Sequence, residues 1–260
     1  MIDLNERAKW LRREVFEMAA RVRQGHLASV LSEIEILVAL FYGGVLRYTV
    51  GKPDVPGRDR IIISKGHATM GLYPILADIG YLEEGEIEQY GTFDGRLRLF
   101  GNIAIPGIDA TTGSLGHGIG IGCGYCIAEP NARTFVVLSE GEMYEGSTWE
   151  SALFAAHNRL DNLVVIVDRN RKIILGDTED LVALEPIAAK WESFGWMTTA
   201  VDGHSCGELI DALKEHGDKP RVVIANTVKG RGISFMEDRA EWHYTTLTDE
   251  LVDLAREELR

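Results

Sequence analysis

An α/β fold with a mostly parallel central sheet, flanked by helices on both faces, is predicted by three features of the chain. Residues 135–138, 162–168 and 221–226 are continuous apolar runs rich in β-branched residues, the composition of strands buried on both sides. Between the first two, residues 146–159 carry Trp149, Leu153, Phe154, Ala156 and His157 at helical spacing, so this stretch reads as one strand–helix–strand crossover. Polar residues punctuate it: Ser139-Glu140-Gly141-Glu142 breaks the first strand and Asp168-Arg169-Asn170 closes the second.

The remaining elements follow in order. Leu4, Ala8, Leu11, Val15, Met18, Ala19 and Val22 make residues 4–23 an amphipathic helix that ends near Gly25. A second helix is expected over 32–46, opened by a capping-type Ser32 with Glu33 and Glu35 behind it. Residues 51–60 form a polar loop, 61–63 a short strand and 69–79 a helix. Residues 83–112 are loop-rich, with a short acidic helix near 83–89. A helix over 186–194, a strand over 197–201 and amphipathic helices over 206–216 and 248–259 complete the chain.

With 260 residues, the chain suffices for one large α/β domain, and 45% hydrophobic and 26% charged residues are ordinary for a globular protein. A net charge of −13 argues against nucleic acid and against an anionic membrane surface as partners. The charged start, MIDLNERAKW, is not a signal peptide, and no apolar run reaches membrane-spanning length; a cytoplasmic protein is expected. Three cysteines give no disulfide framework. Cys123 and Cys126 have redox-pair spacing, but they fall inside a small-residue helix, where packing is the expected role.

The chemistry concentrates at strand ends. A right-handed crossover brings Glu140 and Asn170 to one sheet edge, beyond the carboxyl ends of strands, where ligands bind in such sheets. One carboxylate and one amide oxygen, with backbone carbonyls, make a hard-oxygen site suited to magnesium. Gly141 and Gly146 let the backbone approach an anion at a helix N-terminus, so the unit suits a metal–diphosphate. His67 likewise follows the predicted strand 61–63.

The Ser139-Glu140-Gly141 turn, the Asn170 about thirty residues on, and the flanks Glu145-Gly146, Trp149-Glu150, Ala155-Ala156-His157 and Leu160-Asp161-Asn162-Leu163 resemble the thiamine diphosphate motif of transketolases, in particular the short N-terminal subunits of split transketolases. Gly25-His26, Ser64-Lys65-Gly66-His67, residues 106–118 and Glu241-Trp242-His243 extend the resemblance from about Leu11 to His243. It implies a thiamine-diphosphate-binding fold over 1–260. It also implies magnesium on Glu140, Asn170 and the Lys172 carbonyl. Cofactor contacts would come from His67, Gly113, Ser114, Leu115, Glu140, Gly141, Glu142, Asn170, Ile174 and His243, and catalytic duty falls to His26, His67 and His243. The His of Asp202-Gly203-His204 is expected to be structural.

The resemblance further implies transfer of a two-carbon ketol unit from a ketose to an aldose, with sugars or sugar phosphates as substrates. The pyrimidine-binding domain, with its activating glutamate, and the C-terminal domain would lie on a separate chain, in a heterotetramer. Four departures stand out. Glu140 replaces the usual Asp ligand, and Ser139 a Gly. Arg171 and Lys172 replace small and apolar residues. Counting back from Pro106, Arg98-Leu99-Phe100 replaces Gly-His-Pro, which puts Leu99 where the family has a donor-contacting His. These departures leave two alternatives: a related thiamine-dependent transferase with an unusual donor or acceptor, or a non-catalytic scaffold subunit.

Overall fold

The computed structural model describes residues 2–260, apart from the side chain of Thr245. Five strands, β1 (Arg60–Ile63), β2 (Thr134–Ser139), β3 (Leu163–Arg169), β4 (Met197–Asp202) and β5 (Arg221–Asn226), form one sheet in the order β1-β2-β3-β5-β4. Every neighbouring pair is parallel. The central strand β3 is buried at all its positions, which is why it reads as an unbroken apolar run.

Side chains alternate between the two faces with the strand period of two. Val136, Leu138, Val165 and Val167 pack under α5 (Gly118–Ala128), α6 (Gly146–His157) and α8 (Ile187–Ser193). Phe135, Val137, Val164, Ile166 and Val223 pack under α1 (Leu4–Val22), α3 (Ile34–Tyr42) and α9 (Cys206–Lys214). The layering follows from handedness. Between β1 and β4 the chain places α5, α6 and α8 on one face, then steps back from β4 to β5 and places α9 on the other. Ser139 pairs with Asp168, and Arg169 with Asn226, so the carboxyl ends of β2, β3 and β5 finish side by side.

The expected helix over 32–46 is two helices, α2 (Leu27–Leu31) and α3. Ser32 does not cap: its Oγ donates to Asp168 Oδ2 at 2.6 Å and lies 3.1 Å from the Ser29 carbonyl. That long-range bond outweighs the local capping preference. The expected helix over 69–79 begins as a 3₁₀ run, Gly66–Leu72, before α4 (Tyr73–Asp78). Gly66 is required there, because a Cβ would meet the Thr112 carbonyl oxygen at 2.6 Å. Residues 83–89 form turns and no helix. Cys123 and Cys126 are free and buried in α5. Burial pushes their thiols up to about 12 and about 11, which suits packing and not redox chemistry. Among the described residues, no helix is long and apolar enough to cross a membrane.

Candidate active site

The turns that leave β1, β2, β3 and β5 converge at one end of the sheet. Together with the start of α2 and the 100–115 loop they enclose a cavity of about 350 Å³. His26, His67 and His243, drawn from three distant segments, line it as a cluster. Their ring centroids lie 4.8 Å (His26–His67), 5.2 Å (His26–His243) and 5.6 Å (His67–His243) apart. Burial, reinforced by the neighbouring His26, lowers His67 to about 2. Burial and the Lys229 charge lower His243 to about 3, and His26 is lowered for the same two reasons. All three are therefore neutral at neutral pH, each ring able to donate at one nitrogen and accept at the other.

Lys229, on the loop after β5, supplies the positive charge. It is 1% exposed and lines the cavity. Its Nζ donates to Ser29 Oγ at 3.1 Å and lies 3.3 Å from His243 Nδ1. No carboxylate pairs with it among the described residues. Burial and the Lys65 charge lower it to about 8. A buried ammonium without a counter-ion, facing a cavity, is a place for an anion.

At the cavity wall, Lys65 is buried and fully spent. Its Nζ donates to the Ser29 carbonyl at 2.9 Å and to Asp168, and sits 3.0 Å from Glu33 Oε2. One ammonium thus serves two buried carboxylates. Asp168 also accepts from Ser32 and Thr227; burial works to raise it, but Lys65 and these donors hold it below its ordinary value. Glu33 lacks such donors, and burial raises it to about 7 against the pull of Lys65. Lys65→Met is expected to destabilise the fold by about 3–5 kcal/mol, the scale for breaking a buried charge network from one side. Denaturant unfolding at pH 8, where both acids seek the charged form, measures it.

The predicted metal ligands cluster at the ends of β2 and β3. Glu140 is 1% exposed. Its Oε1 accepts from Thr178 Oγ1 at 2.7 Å, while Oε2 is buried with no partner among the described residues. Burial, only partly opposed by Thr178, raises its carboxyl. An orphaned buried oxygen calls for a cation, so the donor set fits magnesium. Asn170 lines the cavity, its Oδ1 accepting from the Lys172 amide at 3.1 Å. Lys172 lines it too, with its ammonium paired to Asp177 and, at 3.0 Å, to Asp238. Among the described residues no group of three His, Cys, Asp or Glu is placed to hold a metal, as expected of a set with one carboxylate, one amide and a backbone carbonyl.

The other predicted residues divide. Gly113, Leu115, Gly141 and Ile174 line the cavity. Ser114 is exposed and outside the lining. The Glu142 side chain does not reach the cavity wall. It is fully buried, accepting from the Gly116 amide at 3.0 Å, the Ser139 amide at 2.9 Å and the Ser64 hydroxyl, and so it ties the β1, β2 and 113–116 turns together. Leu99 is also absent from the wall. Its neighbour Phe100 is there, 45% exposed and packed over Gly113, where an added Cβ would lie 3.3 Å from the ring. The side chain that reaches the wall is thus Phe100, next in sequence to Leu99. Ser29, Lys65, Tyr144, Ile173 and Lys229 also line the cavity and were not foreseen. Lys229 had a signal, three residues beyond a buried strand; Ser29, within a helix, had none.

Residues 5–260 match the family model described as transketolase, thiamine diphosphate binding domain. The chain belongs to the transketolase family. It is 38% identical to an apulose-4-phosphate transketolase subunit of Actinobacillus succinogenes, over 99% of this chain and 96% of that one. It is 35% identical to the 6-deoxy-6-sulfo-D-fructose transketolase subunit SqwG of a Clostridium species, again over 99% and 96%. Human transketolase is 34% identical over 98% of this chain, which spans 42% of that protein. The transketolase structure from Campylobacter jejuni superposes with a TM-score of 0.92 at 26% identity, covering all of this chain and 43% of that one. The fold of this transketolase-family chain is thus that of a part of longer transketolases, the part that binds thiamine diphosphate.

Proposed function

We propose that this chain is the diphosphate-binding subunit of a transketolase-type enzyme that moves a two-carbon ketol unit from a ketose to an aldose. The observation that carries the reading is the convergence of three neutral histidines and an unpaired, buried Lys229 on one cavity, beside a buried carboxylate with an orphaned oxygen. Glu140, Asn170 and the Lys172 carbonyl hold magnesium, and Lys229 with the backbone at Gly141 holds a diphosphate. Thiamine diphosphate, when bound, supplies the carbon nucleophile and the electron sink. The chain's own residues bind, orient and move protons. His26, His67 and His243 donate to or accept from sugar hydroxyl and carbonyl oxygens, a task for neutral imidazole. Leu115, Ile173, Ile174 and Phe100 give the cavity its apolar side. A second polypeptide completes the site with the glutamate that activates the cofactor, in a cytoplasmic heterotetramer; the two relatives named as subunits, each matched over nearly its whole length, support a split enzyme. Titration calorimetry with thiamine diphosphate tests the cofactor half of the proposal: magnesium-dependent binding supports it, and binding indifferent to magnesium contradicts it.

Phe100 favours an unusual sugar donor. An aromatic wall offers no hydrogen bond to a hydroxyl, and a site that lacks a donor loses discrimination worth about 1–3 kcal/mol. Relatives named for apulose-4-phosphate and for a sulfo-deoxy sugar make a non-standard ketose a consistent choice. Phe100→His is expected to raise kcat/KM for common ketose phosphates by roughly 10-fold or more, and Leu99→His to change it little. A donor panel with the reconstituted enzyme decides; equal behaviour of the two variants removes Phe100 as the determinant.

A further inference from the structure

Lys229 carries its charge on a flexible four-carbon stem, so its position depends on what holds its backbone. Three residues outside the cavity do so. Glu35, on α3, divides its carboxylate between two arms. Oε1 accepts from Arg12 Nη2 at 2.7 Å, and Oε2 lies 2.9 Å from His204 Nδ1. Both arms end on the loop after β5. Arg12 Nε donates to the Arg231 carbonyl at 2.9 Å, and the Val228 amide donates to His204 Nε2 at 2.9 Å. Because Nε2 accepts, the ring proton sits on Nδ1 and is given to Glu35. The grip therefore falls one residue before Lys229 and two residues after it. Between these points the Gly230 amide donates to the Ala28 carbonyl at 2.9 Å, and the Lys229 carbonyl accepts from the Asp238 amide at 2.9 Å. Gly232, at φ +94°, lies so close to Arg12 that a Cβ would stand 2.5 Å from Arg12 Cδ.

We infer that Glu35, His204 and Arg12 form a positioning clamp that sets the Lys229 ammonium against the anion in the cavity. This gives the Asp202-Gly203-His204 turn a task in the site although His204 does not touch the cavity. The inference rests on the proposed reading of Lys229 as an anion-holding group. The clamp differs from ordinary packing in one respect: both ring nitrogens of His204 are used, so ring shape alone cannot replace it.

His204→Phe keeps an aromatic ring and removes both nitrogens, whereas His204→Gln supplies an amide oxygen that can accept in place of Nε2. Hydrogen exchange and calorimetry with inorganic pyrophosphate and magnesium, both on the full chain, read the consequences. In His204→Phe, exchange at the Gly230 and Asp238 amides is expected to rise about 10-fold while β3 amides stay protected. Pyrophosphate affinity should fall roughly 10-fold, the scale on which outer partners of a ligating group act. His204→Gln should recover much of both. Lys229→Met should lose the affinity without altering exchange. Unchanged exchange and affinity in His204→Phe, with affinity lost in Lys229→Met, overturn the clamp and leave the anion reading standing. Unchanged affinity in Lys229→Met overturns the anion reading and the clamp with it. Should His204→Phe fail to fold, Glu35→Gln, which keeps the volume but leaves one acceptor for two donors, is read in the same way.

Discussion

Glu140→Ala is expected to abolish magnesium-dependent binding of thiamine diphosphate, and Glu140→Asp to keep it. Glu140 closes β2 beside Asn170 at the end of β3, the arrangement in which two adjacent parallel strands present ligands to one ion. Its Oε2 is buried and, among the described residues, unpartnered, and burial raises its carboxyl; both conditions are relieved by a cation. Loss of outer partners of a metal ligand already costs 10–100-fold in affinity, so loss of the only carboxylate in the proposed set should cost on the order of 100-fold or more. Asp is one methylene shorter but retains the charge. Calorimetric titration of cofactor with and without magnesium checks this, and an unchanged affinity for Glu140→Ala removes Glu140 from the metal site.

Lys229→Met is the second large effect expected: kcat/KM in the assembled enzyme falls by about 100-fold, consistent with charge-assisted hydrogen bonds of about 1.5–3 kcal/mol in a buried setting. The variant should also lose a pH limb. Lys229 is lowered to about 8 by burial and by the Lys65 charge. It is charged below that pH and neutral above it, so its hold on an anion is present below about 8 and fades as pH rises through it; a bound diphosphate shifts the limb upward. Fold stability runs the other way. The folded value lies below the ordinary 10.5, so the unfolded chain binds more protons between about 8 and 10.5, and Lys229 makes the fold more stable as pH rises across that window. Diphosphate affinity measured from pH 7 to 10 in wild type and variant separates these effects.

The parallel sheet was legible because strands buried on both faces must be apolar at every position, as 162–168 and 221–226 are. That Glu140 and Asn170 share one end of the sheet was legible because a polar residue closing such a run lands beyond the carboxyl end of its strand. His26 and His243 came only through resemblance, and His67 through resemblance and its place just after a strand; nothing in their spacing shows that three distant segments fold into one cluster. The break between α2 and α3 was hidden because it depends on a bond between Ser32 and Asp168, 136 residues apart. Phe100 was hidden because the loop over 83–112 has no periodicity to fix its register. Lys229 resembled any solvated cation after a strand, and only its burial beside Ser29 and His243 gives it a role.

Ketol transfer by this chain with its partner polypeptide is the most direct test of the account. The purified chain alone, with thiamine diphosphate and magnesium, should give no transfer from a ketose to an aldose. Adding the partner should give transfer that is lost on chelating magnesium and lost in Lys229→Met. Transfer by the chain alone, or transfer with the partner that survives Lys229→Met unchanged, would contradict it.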